Sequence, residues 1–266
     1  MRRFFLPHFQ QPELRADEAH HAIHVLRLKV GDTLTLFDGR GHEAQCRIVE
    51  TTRDAVRLAI LQQSTTPPLL CRITLAQAIP KKNMDLIVQK ATELGVAAIV
   101  PLVSERTIKR PTGSSRSERG KLDRWREIAL EGCKQCGNNW LPEIHAPQKA
   151  VEFIGNLSSA PHPNPLSVHG ERESCEWRFD LKLVASLQQD SRPLKAVLAD
   201  SQIRRLPVSS VLILIGPEGD FTPAEIAAAK SAGCLPLSLG PLVLRAETAA
   251  LYALSILHHE LQHGYG

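Results

Sequence analysis

The sequence predicts an α/β protein in which a small antiparallel β-barrel precedes a larger domain of alternating strands and helices. Apolar and polar residues alternate through residues 33–37, 43–50 and 55–61, as they do in half-buried antiparallel strands. From residue 72 onward, short apolar strands alternate with amphipathic helices, which is typical of a largely parallel sheet. The chain is therefore expected to fold as two parts of different class.

A proline-containing segment separates these two parts. Residues 64–68 read Ser-Thr-Thr-Pro-Pro, a composition typical of a linker. Domains are accordingly expected at residues 1–66 and 70–266. In the first part, residues 17–29 form a predicted helix capped by Asp17, and the Asp-Gly-Arg-Gly sequence that follows residue 37 is a predicted turn.

The second part is predicted to be a succession of strands and helices. Gly95 follows its first helix at the position where a left-handed residue commonly ends a helix. Residues 155–180 show no periodicity and are expected to be irregular. The predicted strands are 73–78, 97–102, 196–198, 211–215 and 235–239, the predicted helices are 84–94 and 121–136, and residues 111–117 form a predicted loop.

Positive charge is concentrated in one segment. The 266-residue chain has a formal net charge of +4, whereas residues 106–126 alone contain eight Lys or Arg and two acidic residues. Arg106, Lys109 and Arg110 open this segment, which is suited to contacting the phosphates of a nucleic acid. A solvated loop and helix face explains the same pattern, and the sequence leaves both interpretations open.

Several classes of protein are disfavoured by what the sequence lacks. No apolar run resembles a signal peptide, and the strongly apolar run at residues 211–215 is too short to span a bilayer, so a cytoplasmic protein without a membrane partner is expected. Cys133 and Cys136 form a lone C-x-x-C pair without a second pair, so no metal site is expected. Walker A, G-x-G-x-x-G and G-x-S-x-G sequences are also absent.

A glycine-containing loop follows the buried strand at residues 211–215. This first glycine loop, residues 216–220, reads Gly-Pro-Glu-Gly-Asp. Directly after it, Thr222, Pro223 and Glu225 form the sequence pattern of a helix N-terminus with a capping box. Glycines between a strand and a helix allow the backbone to approach a ligand. A valine at Gly219 is therefore expected to obstruct that approach.

A second glycine loop, residues 240–245, follows the predicted strand 235–239 and precedes the last helix. Two loops at the carboxyl ends of neighbouring strands form the ligand crevice of open α/β sheets. Glycines that serve only ordinary turns would give the same pattern. The spacing alone does not distinguish such turns from a ligand site. The last helix has an apolar stripe that suits either a subunit interface or the core, formed by Ala250, Leu251, Leu254, Leu257 and Leu261.

The two loops carry a resemblance to a known family. Gly-Pro-Glu-Gly at 216–219, followed by Leu-Gly-Pro-Leu-Val-Leu-Arg-Ala-Glu-Thr-Ala at 239–249, resembles the signature of the SPOUT RNA methyltransferases. The chain resembles more closely the ribosomal RNA small subunit methyltransferase E family. That likeness extends to Ala-His-His-Ala-Ile-His-Val-Leu-Arg at 19–27 and to Gln-Lys-Ala-Thr-Glu-Leu-Gly at 89–95, so it covers nearly the whole chain.

The resemblance implies a fold, a reaction and a set of residues. It implies an N-terminal PUA-like barrel, a C-terminal α/β SPOUT domain with a deep trefoil knot, and a homodimer. It also implies methylation of uridine N3 in 16S ribosomal RNA with S-adenosylmethionine (SAM) as cofactor. Arg245 and Glu247 are the catalytic candidates, and Arg3, Arg27, Arg106, Lys109 and Arg110 the RNA-binding candidates. The cofactor-binding candidates are Leu198, Ile215, Gly216, Pro217, Glu218, Gly219, Leu239, Gly240, Leu244 and Thr248.

Three departures from the family pattern keep other functions open. Asp220 stands where the family usually has glycine, Leu242 where it usually has arginine, and Ala199-Asp200 where it usually has Pro-Glu. One alternative is an RNA-binding protein whose cofactor site has decayed. Another is a SPOUT methyltransferase that acts on a ribose hydroxyl or a purine. Arg245 itself could instead pair with Glu247.

Overall fold

The protein divides into two compact units. The computed structural model describes residues 2–107, 115–157, 177–200 and 208–262. The first unit combines residues 1–68 with residues 129–141, and the second contains residues 69–128 and 142–266. The first division thus falls beside the predicted linker, but residues 129–141 group with the N-terminal unit rather than with the C-terminal domain expected to contain them.

The first unit is built on one five-stranded sheet. Its strands follow the order β1-β3-β4-β5-β2. The pair β1–β3 is parallel and the other pairs are antiparallel, so the expected purely antiparallel barrel is corrected to a mixed sheet. Among the described residues its end strands, β1 and β2, do not pair with each other. The bounds are β1 Arg3–Phe5, β2 Glu13–Arg15, β3 Thr33–Phe37, β4 His42–Thr51 and β5 Ala55–Thr65.

The predicted helix of the first unit is shorter and less regular than its pattern suggested. Helix α1 spans Ala16–His20, and a π-helical turn continues it over His21–Val25. Arg27 adopts a left-handed backbone with φ of 53° directly after that turn. A left-handed residue cannot continue a right-handed helix, so the helical segment ends before the predicted residue 29.

The last eight residues of a long helix belong to the first unit, and their side chains contact it. Helix α3 covers Ser115–Cys136, and the Nζ atom of Lys134 lies 2.6 Å from a carboxylate oxygen of Glu18. After the helix, an isolated bridge pairs Arg40 with Trp140. These contacts explain why residues 129–141 group with the N-terminal sheet.

The second unit contains a sheet of eight strands in which every pair is parallel. The order is β11-β13-β10-β12-β6-β7-β8, and β9 also pairs with β7. The central strands are buried on both faces, which explains their continuous apolar sequences. The bounds are β6 Arg72–Ala78, β7 Ala98–Val103, β8 Glu143–Ile144, β9 Gln148–Lys149, β10 Leu181–Ala185, β11 Arg192–Pro193, β12 Ser210–Ile215 and β13 Leu235–Ser238.

Helices connect these strands and end where local sequence dictates. Gly95 has a φ of 73°, so the left-handed end predicted for α2 is confirmed. The capping box between Thr222 and Glu225 is present at the start of α6. No described helix is both long and apolar enough to cross a membrane. The helices are α2 Met84–Glu93, α4 Ala150–Gly155, α5 Leu194–Leu198, α6 Pro223–Ser231 and α7 Ala246–Leu261.

Three predicted elements of the second unit need correction or fall outside the description. The predicted strand 196–198 is wrong, because these residues end the helix α5. The sheet strand in this region is β10, which the sequence interpretation missed because Lys182 interrupts its apolar run. Helix α3 begins at Ser115, six residues before its predicted start, and the rest of the predicted 111–117 loop lies outside the described residues. Most of the predicted irregular region, residues 158–176, also lies outside them.

Candidate active site

A crevice lies at the carboxyl ends of three neighbouring parallel strands. These strands, β13, β10 and β12, end at Ser238, Ala185 and Ile215, and all three residues line the crevice. Its empty volume is about 540 Å³, including its open mouth. The carboxyl edge of a parallel sheet is where small-molecule sites form in open α/β folds.

The first glycine loop forms one wall, and its first glycine has no space for a side chain. A Cβ atom at Gly216 would lie 3.0 Å from the backbone nitrogen of Phe221 and 3.1 Å from Oδ1 of Asp220. One neighbour lies in the loop and the other directly follows it, so a side chain here would require these atoms to move by a few tenths of an ångström. Gly219 differs, because its Cβ would meet only the side chain of Arg106 at 3.5 Å. Within the chain itself, the tighter packing is therefore at Gly216, while the obstruction of a ligand expected from a valine at Gly219 stays a prediction.

Asp220 closes the first glycine loop and joins it to the loop after β10. It has a left-handed φ of 60°, which aspartate tolerates better than most residues. Its Oδ1 accepts a hydrogen bond from the Phe221 N–H at 2.7 Å, and its Oδ2 accepts one from the Leu187 N–H at 3.0 Å. The residue that departs from the family pattern thus fixes the distance between two walls of the crevice.

Other hydrogen bonds hold the first glycine loop from its outer side. The Lys81 N–H donates to a carboxylate oxygen of Glu218 at 2.7 Å. A guanidinium N–H of Arg106 donates to the carbonyl oxygen of Gly219 at 2.5 Å. The loop after β7 is also attached here, because the Glu105 N–H donates to the capping-box Glu225 at 2.9 Å.

The second glycine loop forms the opposite wall and is much more open. Gly240 has a φ of 132°, and the Ser238 hydroxyl contacts both its N–H and its carbonyl oxygen. Leu242 and Val243 line the crevice, and each remains 74% exposed. Among the described residues, no hydrogen bond holds residues 241–244.

The two catalytic candidates lie at the end of the second glycine loop and the start of α7. Arg245 occupies the N-cap position and is exposed, but it is not among the crevice-lining residues. Glu247 accepts a hydrogen bond from the Asn83 side-chain amide at 2.9 Å. In the described part of the chain, no ion pair joins Arg245 to Glu247. The alternative in which Arg245 only pairs with Glu247 is therefore not supported by a contact.

The crevice brings together most of the predicted cofactor-binding residues. Ile215, Gly216, Pro217, Glu218, Leu239, Gly240 and Leu244 all line it. Leu198 is buried in α5, Gly219 faces Arg106 and Thr248 is exposed on α7, so these three do not line the crevice. The sequence interpretation missed the contributors from the unpredicted β10 and from the loops and helix α7, namely Ala185, Ser186, Leu187, Asp220, Ser238, Leu242, Val243, Ala246 and Ala249.

The phosphate-binding candidates have very different environments. Arg3 is buried, and its guanidinium already pairs with Glu43 at 3.1 Å and lies over the ring of Phe37. A guanidinium occupied in this way is not available to a phosphate, so the structure removes Arg3 from the candidates. Arg27 is exposed, whereas Arg106 is bound to the first glycine loop. Lys109 and Arg110 lie outside the described residues.

The described part of the chain contains no cluster of three or more His, Cys, Asp or Glu side chains that would suit a metal ion. Burial raises the pKa of the Cys133 thiol to about 12, so this member of the C-x-x-C pair is a poor thiolate ligand. Cys136 is exposed.

Two family models match this chain. An RNA methyltransferase domain matches residues 67–258, and an RNA methyltransferase PUA domain matches residues 14–61. The first covers most of the second unit, including both glycine loops, and the second covers most of the N-terminal sheet. Together they define a protein with an RNA methyltransferase domain preceded by a PUA domain.

Individual relatives narrow that class. A structure of a putative methyltransferase from Legionella pneumophila, in complex with SAM, is 32% identical, with 97% of each chain covered and a TM-score of 0.79. Ribosomal RNA small subunit methyltransferase E from Neisseria gonorrhoeae, bound to SAM, is 29% identical, with 97% of each chain covered and a TM-score of 0.77. The enzyme of that name from Synechocystis is 30% identical over 94% of this chain and 73% of its own. The chain belongs to the ribosomal RNA small subunit methyltransferase E family.

Proposed function

We propose that this protein binds SAM in the crevice and transfers its methyl group to N3 of a uridine in 16S ribosomal RNA. The observation that carries the proposal is the crevice between the two glycine loops, where Gly216 packs closely against Asp220 and Phe221. The fit is also chemical. The charged side chains that line the crevice, Glu218 and Asp220, are both acidic, and the sulfonium of SAM is a cation.

Bound SAM supplies an activated methyl group, so the residues of the chain have to position the acceptor and manage its proton. Uridine N3 lies on the Watson–Crick edge and carries a proton, so the base must be unpaired to react. We assign Arg245 to the uracil oxygens, where its guanidinium stabilises the anion formed when that proton leaves. The exposure of Arg245 beside the second glycine loop leaves its guanidinium free to meet a base that enters from solvent.

Glu247 is better suited to positioning than to proton transfer. Its carboxylate is already an acceptor for Asn83, and this hydrogen bond connects the start of α7 to the loop after β6. Asn83 has a left-handed φ of 69°, so its side chain is presented from a constrained backbone. Glu247 therefore fixes the helix start that carries Arg245.

The first unit is assigned to RNA binding. Exposed Arg27 is our candidate phosphate contact in this unit, and Arg106, Lys109 and Arg110 are the candidates in the second; Arg106 stays a candidate because, unlike Arg3, it is exposed despite its hydrogen bond to Gly219. The left-handed φ of Arg27 is uncommon for a residue with a side chain, and such strained positions concentrate at functional sites. An Arg27→Ala variant should bind ribosomal RNA more weakly while SAM affinity stays unchanged.

The family resemblance extends the proposal to architecture and location. We propose that the second unit is a SPOUT domain with a trefoil knot, that the first is a PUA-like barrel, and that the protein acts in the cytoplasm as a homodimer. Ala250, Leu254 and Leu257 of the α7 stripe are buried within one chain, so core packing accounts for them. Light scattering at micromolar concentration tests the dimer, and a monomeric mass would contradict it.

Nucleoside mass spectrometry provides the decisive test of the reaction. Ribosomal RNA from cells lacking the gene should lose N3-methyluridine, and the purified protein with SAM should restore it. A methyl group on ribose or on a purine would instead identify another SPOUT activity. Absence of SAM binding by calorimetry would favour the RNA-binding protein with a decayed site.

A further inference from the structure

The crevice has an asymmetric charge. Of the residues that line it, Glu218 and Asp220 are acidic, and none is Lys, Arg or His. Glu218 belongs to the shared Gly-Pro-Glu-Gly sequence, whereas Asp220 replaces the glycine usual in the resembling family. This chain therefore places one more negative charge at the crevice than that pattern provides.

The Asp220 carboxylate is fixed but not neutralised. Its hydrogen-bond donors are the backbone N–H groups of Leu187 and Phe221, which carry no net charge. In the described part of the chain, no Lys, Arg or His forms an ion pair with it. Two hydrogen bonds hold the carboxylate in place before any ligand arrives, so its field requires no reorganisation on binding.

We propose that Asp220 makes the crevice distinguish the cationic cofactor from its neutral product, on the basis of the function proposed above. Methyl transfer breaks the bond between the methyl carbon and the sulfonium sulfur, and the bonding electron pair stays on sulfur. The sulfonium of SAM thus becomes the neutral thioether of S-adenosylhomocysteine. A fixed carboxylate attracts the first ligand more than the second, so it favours replacement of the bound product by SAM and weakens product inhibition.

A purely structural role for Asp220 predicts a different result. Because the residue joins the first glycine loop to the loop after β10, its loss could loosen the crevice for both ligands. That effect would raise the two dissociation constants by the same factor. A charge effect instead raises the dissociation constant of SAM and leaves that of S-adenosylhomocysteine nearly unchanged.

Two substitutions at this position separate charge from shape. Asp220→Asn keeps the size, one side-chain oxygen acceptor and tolerance of a left-handed backbone, but removes the charge and one of the two side-chain hydrogen bonds. Asp220→Gly restores the residue usual in the family, accepts the φ of 60° and removes charge and both side-chain hydrogen bonds. Asp190→Asn is the matched control, because Asp190 is exposed, pairs with Lys230 and does not line the crevice.

The experiment is calorimetry of the full-length protein with each ligand, at low and moderate salt, after thermal unfolding has verified folding of each variant. The ratio of the dissociation constant of S-adenosylhomocysteine to that of SAM should fall on the order of fivefold in both Asp220 variants, as expected for one partly exposed charge. It should stay unchanged in Asp190→Asn. Added salt should reduce the ratio in the unmodified protein more than in Asp220→Asn.

The possible results are distinct. An unchanged ratio in a folded Asp220→Asn or Asp220→Gly protein, including equal weakening of both ligands, would overturn the charge-selection proposal while leaving SAM binding intact. If the unmodified protein bound neither ligand, the proposed function itself would fail. Should Asp220→Asn not fold, Asp220→Gly alone decides, because glycine is compatible with the backbone at this position.

Discussion

The two glycine loops face each other across one crevice, yet they are built in opposite ways. The first, residues 216–220, receives hydrogen bonds from three other segments, through Leu187, Lys81 and Arg106. The second, residues 240–245, has contacts to Ser238 at its start and then exposes two large apolar side chains. One wall of the crevice is therefore fixed, and the other has few contacts that restrict it.

This difference assigns different tasks to the two loops. A ligand that meets preformed backbone groups loses little free energy in ordering them, so the first loop is suited to holding the cofactor. A loop with few buried contacts and few hydrogen bonds changes conformation at low cost, so the second is suited to closing on a bound ligand. Arg245 ends this second loop, so a change in the loop's conformation would also move Arg245.

The largest effect is expected from a side chain in the fixed loop. Gly216→Val should remove measurable SAM binding in calorimetry, because its Cβ would lie 3.0 Å from the Phe221 nitrogen and displace the loop. Gly219→Val is the matched control. Its Cβ points at the flexible side chain of Arg106, so SAM affinity should stay within a few-fold. Equal losses in the two variants would show instead that a valine at Gly219 obstructs the ligand.

The next effect concerns the residue carried by the open loop. Arg245→Ala should lower the methylation rate on the order of a hundredfold, comparable with the loss of an oxyanion donor, while SAM affinity changes only a few-fold. Raising the pH should partly restore the rate, because the uracil anion then forms without the guanidinium. Single-turnover kinetics and calorimetry measure the two quantities separately.

The conservative variant sharpens this prediction. Arg245→Lys keeps the charge but not the two-donor fork, so it should restore little of the rate if the fork is needed. Parallel losses of SAM binding and rate in Arg245→Ala would instead place Arg245 in the cofactor site. A rate that does not recover at high pH would argue against stabilisation of an anion.

A smaller effect on SAM binding is expected from the exposed apolar side chains of the second glycine loop, and it compares the two loops directly. Replacing both Leu242 and Val243 with serine should weaken SAM binding a few-fold if these side chains cover a bound ligand. The midpoint of thermal unfolding should hardly change, because both side chains are 74% exposed in the structure. A large fall in the unfolding midpoint would mean that the second loop is as integral to the fold as the first.

Local sequence signals identified residues that the structure brings together in one crevice. Glycines, a capping box and a strand that ends in Gly-Pro-Glu-Gly are local signals, so seven of the ten predicted cofactor residues line the crevice. Leu198 was misplaced because residues 196–198 looked like a buried strand and are the end of a helix. The crevice residues at the end of β10 and in the loop after it were missed because β10 is short and Lys182 interrupts its apolar pattern.

Long-range pairing lay beyond the sequence pattern. The residues next to Arg3 in sequence do not show whether its guanidinium is exposed to bind a phosphate or is buried. Its partners Glu43 and Asn139 are distant in sequence. The role of Asp220 is also set by a partner from another loop, the Leu187 N–H. Such contacts depend on the order of strands in the sheet, which periodicity does not reveal.

The smallest expected effect lies at the opposite end of β12, away from the crevice. Asp180 accepts hydrogen bonds from the N–H and hydroxyl groups of both Ser209 and Ser210, at 2.8 to 3.0 Å. Burial alone would raise the pKa of the Asp180 carboxyl, but these donors outweigh burial and lower it below the usual 3.8. Asp180→Asn should therefore cost about 1 kcal/mol of unfolding free energy at neutral pH, a modest value because the carboxylate is only half-buried.

The pH dependence gives this last prediction its sharpest form. A carboxyl whose pKa is lower in the folded state stabilises the protein above its unfolded pKa, and that contribution disappears as the pH falls through the folded value. The difference in unfolding free energy between the unmodified protein and Asp180→Asn should thus be constant at neutral pH and shrink below about pH 3.8. Urea unfolding of both proteins at each pH measures it, with SAM affinity at neutral pH as the control. A loss of SAM binding in Asp180→Asn would show that the fixed wall depends on both ends of β12, because strain at one end would then be transmitted along the strand to the first glycine loop.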